Sequence, residues 1–181
     1  MTMLQAHDDI TPPDLARMTV ERFISEGEVV EPPRKPGVLL AGKAAAFVTL
    51  RDQGGQLRGC IGTIEPSRDN LAEEIIQNAI SAATRDPRFD PVKVSELPFL
   101  SYGVDVLSQP EPVRGKEDLD PSKYGVIIES LDGSRRGLLL PDIEGIDTVE
   151  QQWLAVHMKA GLTPGDPVRV ERFTVTRFGK D

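Results

Sequence analysis

A single cysteine, Cys60, in a chain of 181 residues rules out an internal disulfide, so apolar burial has to hold the fold together. Histidine is almost as scarce. His7 and His157 are the only two, and no pairing of them with Cys60 has the spacing of a zinc site, so no metal is expected. No apolar run approaches the ~18 residues of a membrane helix, which argues against a membrane span. Positive charge is the minority sign, 21 Lys and Arg against 29 Asp and Glu, and the net charge of −8 repels phosphate backbones. A dedicated nucleic-acid binder is therefore disfavoured. No glycine-rich dinucleotide fingerprint follows a strand, and no cofactor is expected. Met1 to Asp9 lacks the basic start and apolar core of a secretory signal; with the lone cysteine this leads to the expectation of a reducing, cytoplasmic setting.

What remains is a globular composition, 39% hydrophobic and 28% charged, long enough for one sizeable core or a core with a small lobe. Thr11 before Pro12, Pro13 and Asp14 reads as a helix start, with Ala16, Val20, Phe23 and Ile24 on one face and Gly27 as the stop. Pro32, Pro33 and Pro36 form a stiff connector. Phe47 to Leu50 and Gln56 to Thr63 then flank Asp52-Gln53-Gly54-Gly55 as a hairpin. A second helix runs from Ser67 or Asn70 to Thr84, with Leu71, Ile75, Ala79 and Ala82 inward. Leu100, Tyr102, Val104 and Val106 alternate as a strand, and Val126 to Glu129 pairs with Arg136 to Leu140 across a turn. Thr148 to Ala160 reads as a helix stopped by Gly161, and Val168 to Phe178 as a closing strand. Helices interspersed among hairpins predict an α+β fold built on a mixed, largely antiparallel sheet. Gly37-Val38-Leu39-Leu40-Ala41-Gly42-Lys43-Ala44 nearly matches a phosphate loop. Ala44, however, lacks the metal-binding hydroxyl, and a strand follows where that motif requires a helix.

The most informative stretch is Leu57-Arg58-Gly59-Cys60-Ile61-Gly62-Thr63. In a strand, Arg58, Cys60 and Gly62 share one face. The guanidinium would favour the reactive thiolate, and Gly62 would leave unfilled space beside the sulfur. The plainer reading is a small buried cysteine between glycines that serve close packing.

This stretch resembles the signature of the AMMECR-type domain, the family also called AmmeMemoRadiSam system protein A. The resemblance continues through Gly42 to Leu50, Asp86-Pro87-Arg88-Phe89, Val104 to Ser108, Arg135 to Pro141 and Met158 to Leu162, in family order over roughly Thr11 to Phe178. The segment Thr163-Pro164-Gly165-Asp166-Pro167 is shorter than the family pattern and lacks its tryptophan, which bears on any pocket wall built there. The resemblance implies one domain of this type over residues 1–181, with its core over 11–178; residues 1–10, as a chain end, are expected to be disordered. It also implies a sheet-and-helix body with a smaller lobe, and two partners: a Memo-type protein similar to extradiol dioxygenases and a radical S-adenosylmethionine enzyme.

Four further residues complete the candidate site. Asn78 lies on the apolar stripe of the second helix, where a buried amide either ties down a neighbouring backbone group or orients a ligand. Arg88, on a stiff turn after Asp86 and Pro87, could clamp an anion, with Arg136 as a second prong, or simply pair with Asp86; Phe89 is expected to plug the core. His157 could serve Cys60 as a proton partner. The leading expectation is an enzyme or enzyme component in which Cys60 and Arg58 are catalytic and Asn78, Asp86, Arg88 and Arg136 bind a small polar or anionic metabolite. A non-catalytic adaptor for the two partners is the alternative. An RNA-associated domain that stacks bases on Phe89 or Tyr102 comes third.

Overall fold

The computed structural model describes residues 10–179. The expected disorder of residues 1–10 therefore falls, but for Ile10, outside the described residues. Ile10 itself packs against the core of the first of two compact units. That unit carries the chain up to Val106 and takes it up again at Arg177, while Leu107–Thr176 form the second.

In the first unit, α1 (Pro12–Glu26) starts where the Thr11 side chain accepts the Asp14 N–H, and it ends at Gly27, whose φ of 72° suits glycine. After the short α2 (Val38–Ala41), the strands β1 (Ala46–Arg51) and β2 (Leu57–Gly62) form the expected hairpin. Asn70 caps α3 (Leu71–Thr84), which is buried on nearly every side because it lies between α1 and the sheet. A 3₁₀ helix over Val94–Phe99, which no periodicity announces, leads into β3 (Ser101–Leu107). Leu50, Val48 and Ala46 of β1 line up with Tyr102, Val104 and Val106 of β3, and all six are buried in the core with α3. The opposite face of β1 carries Phe47, Thr49 and Arg51, which are half-buried.

In the second unit a minimal β4 (Glu111–Pro112) is followed by β5 (Gly125–Ser130) and β6 (Arg136–Leu139), which pair from Val126 with Leu139 to Glu129 with Arg136, as the sequence predicts. Thr148 and Gln151 form a capping box for α4 (Val149–Ala160), and Gly161 in the left-handed region stops it. Val156 and Ala160 of α4 pack with Val126, Ile128 and Leu139. Gly137 lets helix and strand approach closely, since a Cβ there would lie 2.8 Å from the Val156 carbonyl oxygen.

The expected closing strand over Val168 to Phe178 is two strands. β7 (Val168–Phe173) joins the sheet ordered β4-β7-β5-β6, and β8 (Val175–Phe178) joins the sheet ordered β2-β1-β3-β8. The break falls at Thr174, whose N–H is taken by the Ser108 hydroxyl at 2.9 Å instead of a ladder partner. Helices with two sheets, antiparallel in every pairing of described register, make the fold α+β. No described helix is long and apolar enough to cross a membrane.

Candidate functional site

β2 lies at the edge of its sheet, so one side of its backbone has no neighbouring strand among the described residues. Side chains from the turn after α3 take that place. The Cys60 N–H donates to Asp86 Oδ2 at 2.8 Å, and Arg88 Nη2 donates to the Cys60 carbonyl oxygen at 3.3 Å. Asp86 and Arg88 are joined in a fork, Nε to Oδ1 at 2.9 Å and Nη2 to Oδ2 at 2.7 Å. A carboxylate and a guanidinium thus stand in for the acceptor and donor of a missing strand. The Asp86 side chain is 2% exposed and that of Arg88 is 55% exposed. Hydrogen bonds from Arg88 hold the Asp86 carboxyl well below the usual carboxylate range, against the opposing effect of burial. The same bonds raise Arg88, helped by attraction to Asp86 and Cys60.

Cys60 is half-buried, opposite Thr49 in the register, and the Thr49 hydroxyl donates to its sulfur at 3.3 Å. The two glycines around it serve packing. A Cβ on Gly59 would lie 2.2 Å from the Ala82 carbonyl oxygen of α3, and one on Gly62 would lie 2.2 Å from the Phe47 ring. The space expected beside Gly62 is therefore filled by Phe47, its cross-strand partner.

Arg58 does not supply a free charge. Its Nε and Nη2 donate to Glu96 at 2.7 and 3.1 Å, which lowers the Glu96 pKa. Phe89 is half-buried instead of plugging the core, with Arg58 Cζ 5.9 Å and Arg88 Cζ 5.6 Å from its ring centroid. Glu96 also borders a cavity of about 210 Å³ between the turn at Asp52 to Gly54 and Phe99, which is 54% exposed.

Asn78 is buried on α3, and its amide donates to the Ala46 carbonyl oxygen at 2.9 Å, in β1 and not in the strand that bears Cys60. Arg136 belongs to the second unit, 3.8 Å from both Glu129 and Glu171. His157, also there, is fully buried with Nδ1 2.8 Å from the Trp153 carbonyl oxygen. Tyr102 is 7% exposed on the core face, which removes it as a stacking platform. The structure thus gathers Cys60, Arg58, Asp86 and Arg88 around one strand edge.

Three residues escaped the sequence reading. Glu96 lies 38 positions from Arg58, and no local pattern links them. Thr49 was legible only through hairpin register. Glu74, 1% exposed, accepts from Thr63 Oγ1 at 2.6 Å and from the Ser67 and Arg68 N–H groups at 2.8 and 2.9 Å, anchoring the loop that follows the signature.

A signature strand bearing the lone cysteine and an Asp-Pro-Arg-Phe turn, set in a body of sheet and helices, are what the sequence resemblance leads one to expect; the pinning of the strand edge by that turn is added by the structure. The AMMECR1 family model matches residues 13–180, and the chain belongs to that family. It is 53% identical over 161 residues to a protein of Thermotoga maritima, covering 88% of this chain and 91% of that one. It is 44% identical over 165 residues to protein CA_C1420 of Clostridium acetobutylicum, covering 90% of this chain but spanning only 34% of that longer protein. The crystal structure of an uncharacterised protein, PH0010, from Pyrococcus horikoshii aligns with a TM-score of 0.83 at 34% identity, covering 94% of this chain and 90% of that one.

Proposed function

We propose that this chain is an enzyme or enzyme component whose reacting group is the Cys60 thiol, acting on a small polar or anionic metabolite in a reducing cytoplasm. One observation carries the reading. The Cys60 backbone is held at both its N–H and its C=O, and its sulfur by the Thr49 hydroxyl, while the residue is only half-buried. A thiol fixed in place yet reachable is what a positioned nucleophile or proton donor requires. Asp86 and Arg88 hold it, with Arg88 also facing ligand. Asn78 and Arg136 are the remaining substrate-binding candidates, and Arg58 is an indirect contributor through its pair with Glu96. Family membership supports work alongside a Memo-type protein and a radical S-adenosylmethionine enzyme. The test is to mix the purified chain with both enzymes and follow products. Cys60→Ser should keep fold and affinity while turnover collapses; unchanged turnover would remove the thiol from the chemistry.

An adaptor role is favoured by a different observation. Arg58 and Arg88 are both answered internally, and the nearby cavity is rimmed by the exposed Phe99. A stable complex with the Memo-type protein that survives Cys60→Ser but not Phe99→Ala would establish that reading.

A further inference from the structure

Two arginines accompany Cys60, and the structure distinguishes them. Arg58 shares a strand face with the cysteine, and Glu96 takes its Nε and Nη2 side-on with both carboxylate oxygens, as Asp86 takes those of Arg88; what separates the two arginines is exposure, the Arg58 side chain being only 16% exposed. Arg88 is 55% exposed. Its Nε and Nη2 are committed to Asp86 and to the Cys60 carbonyl, while Nη1 has no partner among the described residues. Asp86, the counter-charge, is buried on the N–H side of Cys60, so the pair is a dipole whose positive, solvent-facing end lies on the carbonyl side. The other charged groups on this sheet face are Arg51 and the Asp105–Arg177 pair of β3 and β8, the latter 3.6 Å apart.

We propose that Arg88, and not Arg58, presents the positive charge at Cys60, and that the group met there is a small anion received by the outer Nη1 edge of Arg88. This rests on the reading of Cys60 as the reacting group and deepens it by naming the charge of the substrate and the residue that recognises it. Asp86 is then the positioning residue that aims the guanidinium, its buried carboxylate fixing Nε and Nη2 so that only Nη1 is left outward.

Two alkylating reagents separate charge recognition from simple thiol reactivity. Iodoacetate and iodoacetamide both react by the sulfur displacing iodide, so the thiolate fraction cancels in the ratio of their rates, and the ratio reads the local field alone. On the native full chain the ratio should exceed that of free cysteine and fall with added salt, as a Coulombic preference does. Arg88→Ala should lower the ratio by about threefold or more, the scale expected for a charge several Å away in a wet site. Arg88→Lys should restore most of it, and Arg58→Ala should leave it nearly unchanged. An unmoved ratio in Arg88→Ala, or a fall in Arg58→Ala instead, overturns the assignment while leaving the thiol reactive. If Arg88→Ala does not fold, a salt-insensitive ratio in the wild-type chain overturns it. Failure of both reagents to label Cys60 before denaturation sinks the reading of Cys60 as a reacting group, and this inference with it.

Discussion

Asp86 accepts the amide N–H of Cys60 at 2.8 Å across 26 positions of sequence, so the signature strand and the turn after α3 are one structural unit. Replacing Asp86 strands two partners at once: an N–H at a half-buried edge and an arginine that loses its fork. Asp86→Ala should cost about 2 kcal/mol or more, read from chemical denaturation. Arg88→Ala should be at least as costly at neutral pH, since it leaves the buried Asp86 carboxylate, 2% exposed, without its counter-charge.

The same pair sets an acid limit. The folded Asp86 carboxyl titrates below the unfolded value near 4, because Arg88 and the Cys60 N–H favour its ionised form. Its stabilisation is therefore complete above about pH 4 and is lost as pH falls towards the depressed folded value. Glu96, lowered by Arg58, adds in the same direction. Melting temperature measured from pH 6 to pH 2 should fall in the wild-type chain and less steeply in Asp86→Asn. Parallel curves would show that this carboxylate is not a source of the acid sensitivity.

Asn78→Ala should leave the Ala46 carbonyl, which also accepts the Thr63 N–H at 3.1 Å, with half its donors at a buried position. A loss of about 1 to 3 kcal/mol is expected by thermal or urea unfolding, without any effect on native thiol alkylation. Altered alkylation would instead tie Asn78 to the cysteine.

Much of this was legible in the sequence, because local rules fix it. Thr11, Asn70 and Thr148 announce helix starts by offering side-chain oxygens, Gly27 and Gly161 announce stops, and the β5–β6 hairpin follows from alternation. What failed was non-local. The split of Val168 to Phe178 between two sheets depends on Ser108, distant in sequence from Thr174. The partner of Arg58 comes from a 3₁₀ helix whose residues carry no period. Gly62 was misjudged because an empty Cβ position says nothing about which neighbour, here Phe47, moves in. Pairing of Arg88 with Asp86 was foreseeable from two-residue spacing, but its use in closing a strand edge was not.

Glu74 offers a test of the loop behind the signature. Its carboxylate receives only donors, from Thr63, Ser67 and Arg68, with no cation among them. Glu74→Gln turns one acceptor into an amide that points hydrogens at donors. The expected loss is about 2 kcal/mol, with faster amide hydrogen exchange at Ser67 and Arg68. Unchanged exchange would mean that the loop holds itself.

The glycines of the signature should differ from a glycine of the hairpin turn that precedes it. A methyl group at Gly59 meets the Ala82 carbonyl oxygen of α3 at 2.2 Å, and backbone cannot rotate away, so strand and helix must separate. At Gly62 the nearest atoms belong to the Phe47 ring, which can turn, although the Ala46 carbonyl oxygen is also only 2.7 Å away. At Gly54 the nearest atom is the Asp52 carboxylate at 3.4 Å, an ordinary contact on an exposed turn. Unfolding free energies should therefore rank Gly59→Ala as the most damaging, at about 2 to 3 kcal/mol, followed by Gly62→Ala and then Gly54→Ala within about 1 kcal/mol of wild type. Because α3 presses on Gly59 from the face opposite Cys60, a folded Gly59→Ala chain should also shift the cysteine and change its alkylation rate. A Gly59→Ala chain as stable as Gly54→Ala would show that the signature glycine is not there for helix packing.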